Sequence, residues 1–283
     1  MTTDQSEIAI YKMQGSGNDF VCINNNQVRL PETQMPIWAR RICRRSFGVG
    51  ADGLIFLEDA PDNENIHYRW HFYNADGSRA EMCGNGSRCA ARLAHRLGLA
   101  PAEHVLGTDA GPVRAAVDEH NQEVQVQLTA PHSFSSDLDL SLDSGRAVTV
   151  HMVNTGVPHV VYFSDQADRE DILELGPALR YHQHFAPAGA NVNIVHIQDA
   201  YSLYVRTYER GVEDETYACG TGAAAAAFVA HKLGLCGNPV RIQTSGGEEL
   251  GISLSDDDIY LQGQAILVYT AQLYLQAVGL EQR

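Results

Sequence analysis

One segment of the sequence occurs twice. The residues CGNGSRCAARLAHRLGL at 83–99 align without gaps with CGTGAAAAAFVAHKLGL at 219–235, and the identical positions are one Cys, three Gly, three Ala, one His and two Leu. So much identity between two parts of one chain indicates an internal duplication. Each half of the chain is therefore expected to form a similar structural unit, and each unit carries one cysteine directly before Gly-x-Gly.

The similarity extends beyond this segment. Upstream, residues 66–83 and 201–219 each read as a strand, a polar turn, a short strand and the cysteine, and the second turn is one residue longer. Downstream, residues 106–118 and 242–254 each read as two short strands joined by a turn that contains glycine. The order strands, alanine-rich helix, strands predicts an α/β or α+β protein with two similar domains.

Other patterns divide the chain further. Helical patterns occupy residues 34–46 and 166–176, and GSGNDFVCI at 15–23 is weakly repeated as NTGVPHVVY at 154–162. Residues 131–145 are rich in Ser and Asp and read as a connection between strand patterns. We therefore place the domain boundary near Pro131.

The charge balance disfavours two classes of partner. The chain has 35 Asp and Glu against 20 Lys and Arg, a formal net charge of −15, which repels phosphate backbones and anionic lipid. We therefore expect neither a nucleic-acid nor a membrane partner. The start MTTDQSEIAIYKM lacks the features of a signal peptide, and no apolar run is long enough to span a bilayer. We expect a soluble, cytoplasmic protein.

The six cysteines, at positions 22, 43, 83, 89, 219 and 236, do not suggest a disulfide framework in a chain of 283 residues without an export signal. No Cys-x-x-Cys occurs, and the spacing of Cys83 and Cys89 is not that of a zinc knuckle. Reduced thiols and no metal site are therefore expected.

The duplicated cysteine is predicted to lie at a helix N-terminus. Cys-Gly-x-Gly fits poorly inside a helix, whereas the alanine run after it favours one, so each helix should begin at the glycines. The N–H groups and the positive dipole end at such a position stabilise a thiolate and attract anions. A lone cysteine is more often a small buried apolar residue. However, the cysteine and both glycines persist in the two copies, while Arg88 is replaced by Ala224.

Two such cysteines suit inversion at a stereocentre. Related domains often hold a small molecule between them, and facing helix N-termini would place two thiols on opposite sides of one carbon. One thiolate would remove a proton while the other thiol delivers one to the opposite face. The helix amides would hold the α-carboxylate and stabilise the developing charge. This chemistry needs no cofactor, and we expect none.

Motifs along nearly the whole chain resemble those of the diaminopimelate epimerase family. They are GSGNDF at 15–20, GVGADGL at 48–54, NADGS at 74–78, CGNGSRC at 83–89, GVPH at 156–159, GANVN at 189–193, YERGVEDET at 208–216 and ACGTGAA at 218–224. The resemblance implies a pyridoxal-independent isomerase of lysine and peptidoglycan-precursor biosynthesis, which interconverts LL- and meso-2,6-diaminopimelate.

The resemblance also implies an architecture. It consists of two pseudo-symmetric domains, each a mixed sheet wrapped around a central helix, and such enzymes are commonly homodimers. With the boundary above, the N-terminal domain would span residues 1–130 and the C-terminal domain residues 131–264. A last strand, at about 265–283, would return to the first domain.

Site residues follow motif by motif from the resemblance. Cys83 and Cys219 would be the two acid/base residues. Nine positions would bind the substrate: Asn18, Asn74, Gly84, Asn85, Asn191, Glu209, Arg210, Gly220 and Thr221. His159 and Glu209 would contact the reacting amino group or modulate the pKa of the thiols. Arg210 offers a bidentate fork for a carboxylate, as the distal end of diaminopimelate requires.

Three alternatives remain open. A pyridoxal-independent racemase of another amino acid would use the same chemistry without needing Arg210 and the asparagines. A thiol redox sensor would use Cys83 and Cys219 as a reversible disulfide, and a non-catalytic binding protein would tolerate loss of either thiol. Two positions also depart from the family pattern: Val157 stands where many relatives carry Asn, and Gly53 where some carry Gln.

Overall fold

The computed structural model describes residues 6–61, 65–256 and 258–280. Its strands and helices follow in chain order: β1 (Glu7–Gly15), β2 (Asn18–Asn24), α1 (Asn25–Val28), α2 (Met35–Ile42), β3 (Gly53–Asp59), β4 (Tyr68–Asn74), α3 (Gly84–Arg96), β5 (Glu103–Thr108), β6 (Gly111–Asp118), β7 (Glu123–Leu128), β8 (His132–Ser141), β9 (Ala147–Asn154), β10 (Pro158–Phe163), α4 (Ile172–Arg180), β11 (Asn191–Asp199), β12 (Ser202–Glu209), β13 (Asp214–Thr216), α5 (Gly220–Lys232), β14 (Val240–Thr244), β15 (Glu249–Ser255), β16 (Asp258–Gln264) and β17 (Ile266–Tyr274). Short 3-10 helices occupy Glu32–Gln34, Gln183–Phe185 and Leu275–Val278.

The chain divides into two compact units. The first comprises residues 1–126 together with 264–283, and the second comprises residues 127–263. Among the described residues, no helix is long and apolar enough to cross a membrane.

The two units share one order of strand pairing. In the first unit β1–β2 is antiparallel, β2–β3 parallel, β3–β4 antiparallel, β4–β5 parallel and β5–β6 antiparallel. In the second unit β9, β10, β11, β12, β14 and β15 repeat this series in the same order. A parallel pair needs a crossover connection, which α3 provides between β4 and β5 and α5 between β12 and β14. The duplication seen in the sequence is therefore a duplication of topology.

The first strand of each series carries one further antiparallel neighbour. In the second unit this neighbour is β8, which directly precedes β9 in the chain. In the first unit it is β17, the last strand in chain order, which pairs with β1. The same position in the two sheets is thus filled from different parts of the sequence.

The crossover helices lie at the centre of their units. Helix α3 contacts β1, β2, β3, β5, β6 and β17, and α5 contacts β9, β10, β11, β12, β14 and β15. Because the side chains of 223–227 in α5 are alanines and are all buried, the surrounding strands approach the helix backbone closely. A mixed sheet around one central helix in each of two similar units confirms the predicted fold class.

The two helices are packed differently. Arg88 of α3 is fully buried, at 0% exposure, and its guanidinium donates through Nη2 to Ser16 Oγ at 2.5 Å and through Nε to the Gln264 carbonyl at 3.4 Å. A buried guanidinium is tolerated only when such acceptors are provided. Arg88 thereby attaches α3 to the turn between β1 and β2, a contact that Ala224 cannot make in α5.

Two sequence-based predictions were wrong. Residues 131–145 are not a connection, because most of them form strand β8, which pairs with β9. Left-handed backbone at Ser133 and Asp137 and two register shifts break the alternation, and the strand is largely exposed, which explains its polar composition.

The second error concerns the helix expected at 166–176. Helix α4 starts only at Ile172, where the Asp171 carboxylate caps it by accepting from the backbone N–H of Leu173 and Glu174, and it continues to Arg180. By contrast, α2 lies within the predicted range 34–46 and buries Trp38 and Ile42.

Candidate active site

Cys83 occupies the N-cap position of α3. Its backbone is extended, with φ −152° and ψ 118°, and its Sγ accepts a hydrogen bond from the Gly86 amide at 3.4 Å. The first N–H groups of a helix have no acceptor within the helix, so they point at this thiol and at any ligand beside it. The prediction that the helix begins at the glycines is confirmed.

Cys219 occupies the same position in α5. Its backbone is also extended, with φ −119° and ψ 110°, and its Sγ lies 3.5 Å from Thr221 Oγ1. Both helices are 13 residues long and begin with the glycine after the cysteine. The duplication has therefore placed two thiols in equivalent positions, one in each unit.

Asn18 lies beside the first thiol. Its Nδ2 donates to Asp52 Oδ2 at 2.6 Å, and the Cys83 Sγ donates to its Oδ1 at 3.9 Å. A carboxylate accepts hydrogen bonds, so the Asn18 side chain must turn its NH₂ group, not its oxygen, toward Asp52. The oxygen end of Asn18 is consequently directed at Cys83.

Asp52 also joins two of the sequence motifs. The Asp19 amide donates to Asp52 Oδ2 at 3.1 Å, the Asp52 amide donates to Asp19 Oδ1 at 3.1 Å, and Arg45 donates to Asp52 at 3.0 Å. Lys12 bonds both Asp19 and the Gly50 carbonyl. Burial raises the pKa of Asp19, but the Lys12 ammonium outweighs it and holds that pKa below its usual value. The reciprocal pair fixes the start of β2, where Asn18 lies.

The remaining predicted residues of the first unit lie at the ends of β4 and α3. Asn74 ends β4 and donates through Nδ2 to Ser78 Oγ at 3.0 Å, which closes the turn at 74–78. Gly84 and Asn85 are the first two residues of α3, where their backbone N–H groups can bind an anion. The Asn85 Oδ1 is buried and has no hydrogen-bond partner among the described residues.

A buried polar network lies behind the start of α5. Asn193 donates through Nδ2 to His159 Nδ1 at 3.1 Å and to the Val160 carbonyl at 3.0 Å, and its Oδ1 accepts from Thr207 Oγ1 at 2.9 Å. Because Nδ1 of His159 accepts, the neutral ring carries its proton on Nε2. A Cβ on Gly222 would lie 2.3 Å from Asn193 Oδ1, so only glycine allows the helix to approach this network.

His159 is neutral in this environment. The residue is fully buried, at 0% exposure, and its Nε2 has no hydrogen-bond partner in the described part of the chain. Burial, reinforced by the Arg210 cation, lowers the pKa of His159 to about 3. This histidine can therefore donate a hydrogen bond but holds no positive charge near neutral pH.

Three predicted substrate-binding residues meet at the end of β12. Asn191 Oδ1 accepts from the Arg210 backbone N–H at 2.8 Å, while its Nδ2 donates to the Pro158 carbonyl at 3.4 Å. Glu209 accepts from Thr216 Oγ1 at 2.9 Å. Burial raises the pKa of Glu209, and the Thr216 hydrogen bond opposes that rise. The second unit thus brings together Asn191, Glu209 and Arg210, with His159 near enough to sense the Arg210 charge.

Gly53, one of the departures from the family pattern, has a local structural explanation. A Cβ at this position would lie 2.5 Å from Phe72 Cε2 and 3.0 Å from the Tyr73 carbonyl oxygen. A glutamine here would require Phe72 to move. Val157 contributes its carbonyl, which accepts from the Thr155 amide at 3.2 Å and shapes the turn before β10.

Sequence reasoning assigned no role to Lys12, Asp52 or Arg88. Asp52 lies inside the motif GVGADGL, so the motif could have identified it as a residue of the candidate site. For Arg88 the sequence shows only that the aligned residue of the second copy is Ala224. Within the described ranges, no group of three or more His, Cys, Asp or Glu side chains could hold a metal ion.

Comparison with known proteins supports one family. A family model described as diaminopimelate epimerase matches residues 10–133 and 151–268. A Hydrogenobaculum protein named diaminopimelate epimerase is 44% identical over 273 residues, covering 93% of this chain and 98% of the relative. One of the same name from Aquifex aeolicus is 42% identical over 272 residues, covering 93% and 96%. The crystal structure of a probable proline racemase from Agrobacterium radiobacter superposes with a TM-score of 0.70 at 14% identity, over 96% of each chain, which shows a shared fold.

Gly222→Ala is expected to lower the free energy of unfolding by about 1–3 kcal/mol, because the new Cβ overlaps an Asn193 side chain held by three hydrogen bonds. The matched control is Gly86→Ala, at the same helix position in α3. Its Cβ would lie 3.4 Å from Trp70, an ordinary contact, and alanine favours a helix more than glycine does, so the free energy of unfolding should not fall and should rise by at most about 1 kcal/mol. Urea unfolding of both variants measures the difference, and equal losses would contradict this account.

The ring of His159 is expected to stay neutral down to about pH 4. Its pKa of about 3 in the folded chain lies below the usual histidine value of 6.5. The stability linked to the neutral ring is thus fully present above about pH 6.5 and is lost as the pH falls toward 3. Ring ¹⁵N chemical shifts followed by NMR between pH 8 and pH 4 test this, with His159→Asn identifying the signals. Titration of His159 near pH 6.5 would contradict the conclusion that the ring is buried in a setting that lowers its pKa.

Proposed function

The chain belongs to the diaminopimelate epimerase family, and on that premise we propose that it interconverts LL- and meso-2,6-diaminopimelate with Cys83 and Cys219 as its two acid/base residues. The observation that carries this proposal is the equivalence of the two thiols, since each is the N-cap of a 13-residue crossover helix. A duplicated packing residue would not need the Gly-x-Gly that exposes the helix amides beside it.

The proposed reaction is a proton exchange at one carbon. One thiolate takes the α-proton, the C–H bond breaks, and its electron pair remains on a carbanion that is conjugated with the α-carboxylate. The other thiol then gives up its S–H proton to the opposite face, which inverts the centre. No electrons leave the substrate, and the two sulfurs exchange their protonation states. The mechanism requires both thiols to reach the same α-carbon.

The helix starts are suited to stabilise the intermediate. We assign the α-carboxylate to backbone N–H groups of Gly84, Asn85, Gly220 and Thr221, where fixed donors meet the positive ends of the helix dipoles. As the α-proton leaves, charge accumulates on this carboxylate, so these donors bind the transition state more strongly than the substrate. The Gly86 amide and the Thr221 hydroxyl can also donate hydrogen bonds to the thiolates of Cys83 and Cys219, respectively.

Other side chains would fix the two ends of the substrate. Burial raises the pKa of Glu209, and a substrate ammonium beside it would favour the ionised form of this carboxyl and pair with it. His159 is neutral and would act through its Nε2–H rather than as a charge. We assign the distal amino acid end to Asn18, Asn74, Asn191 and Arg210, with the guanidinium on the carboxylate.

We also propose a homodimer in the cytoplasm that serves lysine and peptidoglycan-precursor biosynthesis. Strand β17 supports the dimer, because Val268, Tyr269 and Tyr274 expose apolar surface along a strand that pairs with β1. Large apolar side chains grouped on one strand are typical of surfaces that bind another protein chain.

The alternative functions differ in which substrate, if any, the protein would convert. A racemase of another amino acid would act on a monocarboxylic substrate and would be insensitive to Arg210. A redox sensor would need the thiol pair but would convert no amino acid, and a binding protein would retain ligand after loss of either thiol. Incubation with LL-diaminopimelate and separation of the stereoisomers distinguishes these possibilities.

Cys83→Ala and Cys219→Ala are each expected to reduce epimerisation by at least about 10²-fold, because each removes the proton carrier on one face. In deuterated water the wild type should place deuterium at the inverted α-carbon, whereas each variant should retain exchange on at most one stereoisomer. The control is Cys236→Ala, a buried cysteine outside the predicted site, which should leave activity intact. Full turnover in either alanine variant would refute the two-thiol mechanism.

Arg210→Met is expected to raise KM for diaminopimelate by about a hundredfold, the value of a charge-assisted bidentate contact. Arg210→Lys keeps the charge but loses the fork, so KM should also rise, by a smaller factor. Arg241→Lys, at an exposed position of β14, is the control. Steady-state kinetics measures all three variants, and unchanged constants in both Arg210 variants would favour a racemase of another amino acid.

A further inference from the structure

The turn between β12 and β13 has an unusual backbone. It carries Arg210 and ends at Glu213, which has a left-handed φ of 59°. Gly211 in the same turn has φ 94°, which glycine adopts easily, but a residue with a Cβ pays a steric cost in this region. The Glu213 amide donates to the Glu209 carbonyl at 2.8 Å and closes the turn. A glutamate in this conformation needs compensating contacts.

Those contacts come from its own carboxylate. Glu213 Oε1 accepts from the Gly211 amide at 3.0 Å, next to Arg210, and from Arg180 Nη2 at 3.3 Å. The Gly211 N–H, followed by the Tyr181 hydroxyl and the Arg180 cation, outweighs burial and holds the pKa of Glu213 below its usual value. The carboxylate therefore links the backbone of the turn, at Gly211, to the guanidinium of Arg180.

Arg180 connects this turn to the segment before β11. Its side chain is only 11% exposed, and its Nη1 donates to the Ala188 carbonyl at 3.1 Å. A Cβ on Gly189 would lie 2.0 Å from this Nη1, so the guanidinium packs directly on the backbone leading to Asn191. Asn191 in turn accepts from the Arg210 amide. The backbone N–H of Arg210 is thus held by Asn191, and the N–H of the next residue, Gly211, is held by Glu213.

We propose that Glu213 is a positioning residue that holds Arg210 in place for the distal carboxylate of the substrate. The inference rests on the proposed function, in which Arg210 binds that group. Val212 and Gly211 are exposed, so the turn has few packing contacts of its own and depends on the carboxylate for order. The ion-pair partner of Glu213 in the described part of the chain is Arg180, which leaves the Arg210 guanidinium for the substrate.

Glu213→Gly tests this role without adding strain, since glycine adopts positive φ freely. KM for diaminopimelate should rise about tenfold, the cost of ordering one long side chain anew on binding, while kcat stays within about twofold. The thermal midpoint should change little, because relief of strain offsets the lost contacts. Glu213→Gln keeps an acceptor for the Gly211 amide but loses the charge, so its KM should rise by only about threefold.

Asp256→Gly is the matched control. Asp256 is another exposed acidic residue with left-handed backbone, φ 53°, and its turn after β15 carries no predicted site residue. Its KM should equal that of the wild type.

A double-mutant cycle separates positioning from a general structural effect. If Glu213 acts through Arg210, adding Glu213→Gly to Arg210→Met should raise KM no further. Additive effects, or an unchanged KM in Glu213→Gly, would overturn the inference while the wild type still epimerises diaminopimelate. A wild type that does not convert diaminopimelate would instead overturn the proposed function.

Discussion

Two parallel strand pairs impose the main constraint on this fold. Strands β4 and β5, like β12 and β14, can be joined only by a crossover, and the sheet of each unit surrounds the helix that makes it. A helix enclosed on so many sides must have small or fully satisfied side chains. Its N-terminal amides still need acceptors, because a buried unpaired N–H is costly. The Cys83 thiol meets part of this need, because it accepts from the Gly86 amide.

The two copies meet the same requirement by different packing. In α5 the helix surface is reduced to alanine, and Gly222 lets it approach the polar network of Asn193 and Thr207. In α3 the position that aligns with Ala224 carries the buried Arg88, whose guanidinium donates to Ser16 in the turn before Asn18. The cysteine position is common to both units, whereas the groups behind it have diverged. The surroundings of the two thiols are therefore not interchangeable.

The sequence predicts those features of the structure that are determined by residues adjacent in the chain. The helix starts at Gly84 and Gly220 follow from glycine and alanine propensities in adjacent residues, so they were predictable. Strand β8 was missed because its left-handed residues and exposure remove the alternation that marks a strand.

The supporting residues of the site were missed for a different reason. The function of Asp52 depends on Asp19 and Asn18, which are more than thirty positions earlier in the chain. Such a pairing is created by the parallel alignment of β2 and β3, which no short window of sequence contains. The Glu213 contacts with Arg180 are non-local in the same way.

The pairing of β17 with β1 has a consequence for the order in which the units are completed during synthesis. The second unit is one continuous stretch, residues 127–263, so all its strands have been made before β17 is translated. The first unit begins earlier, but β1, paired on one side with β2, lacks a neighbour on its other side until β17 emerges. While translation continues, β1 presents an open edge of backbone N–H and C=O groups, the kind of edge that other chains pair with. The half of the protein that is made first is therefore the half that is finished last.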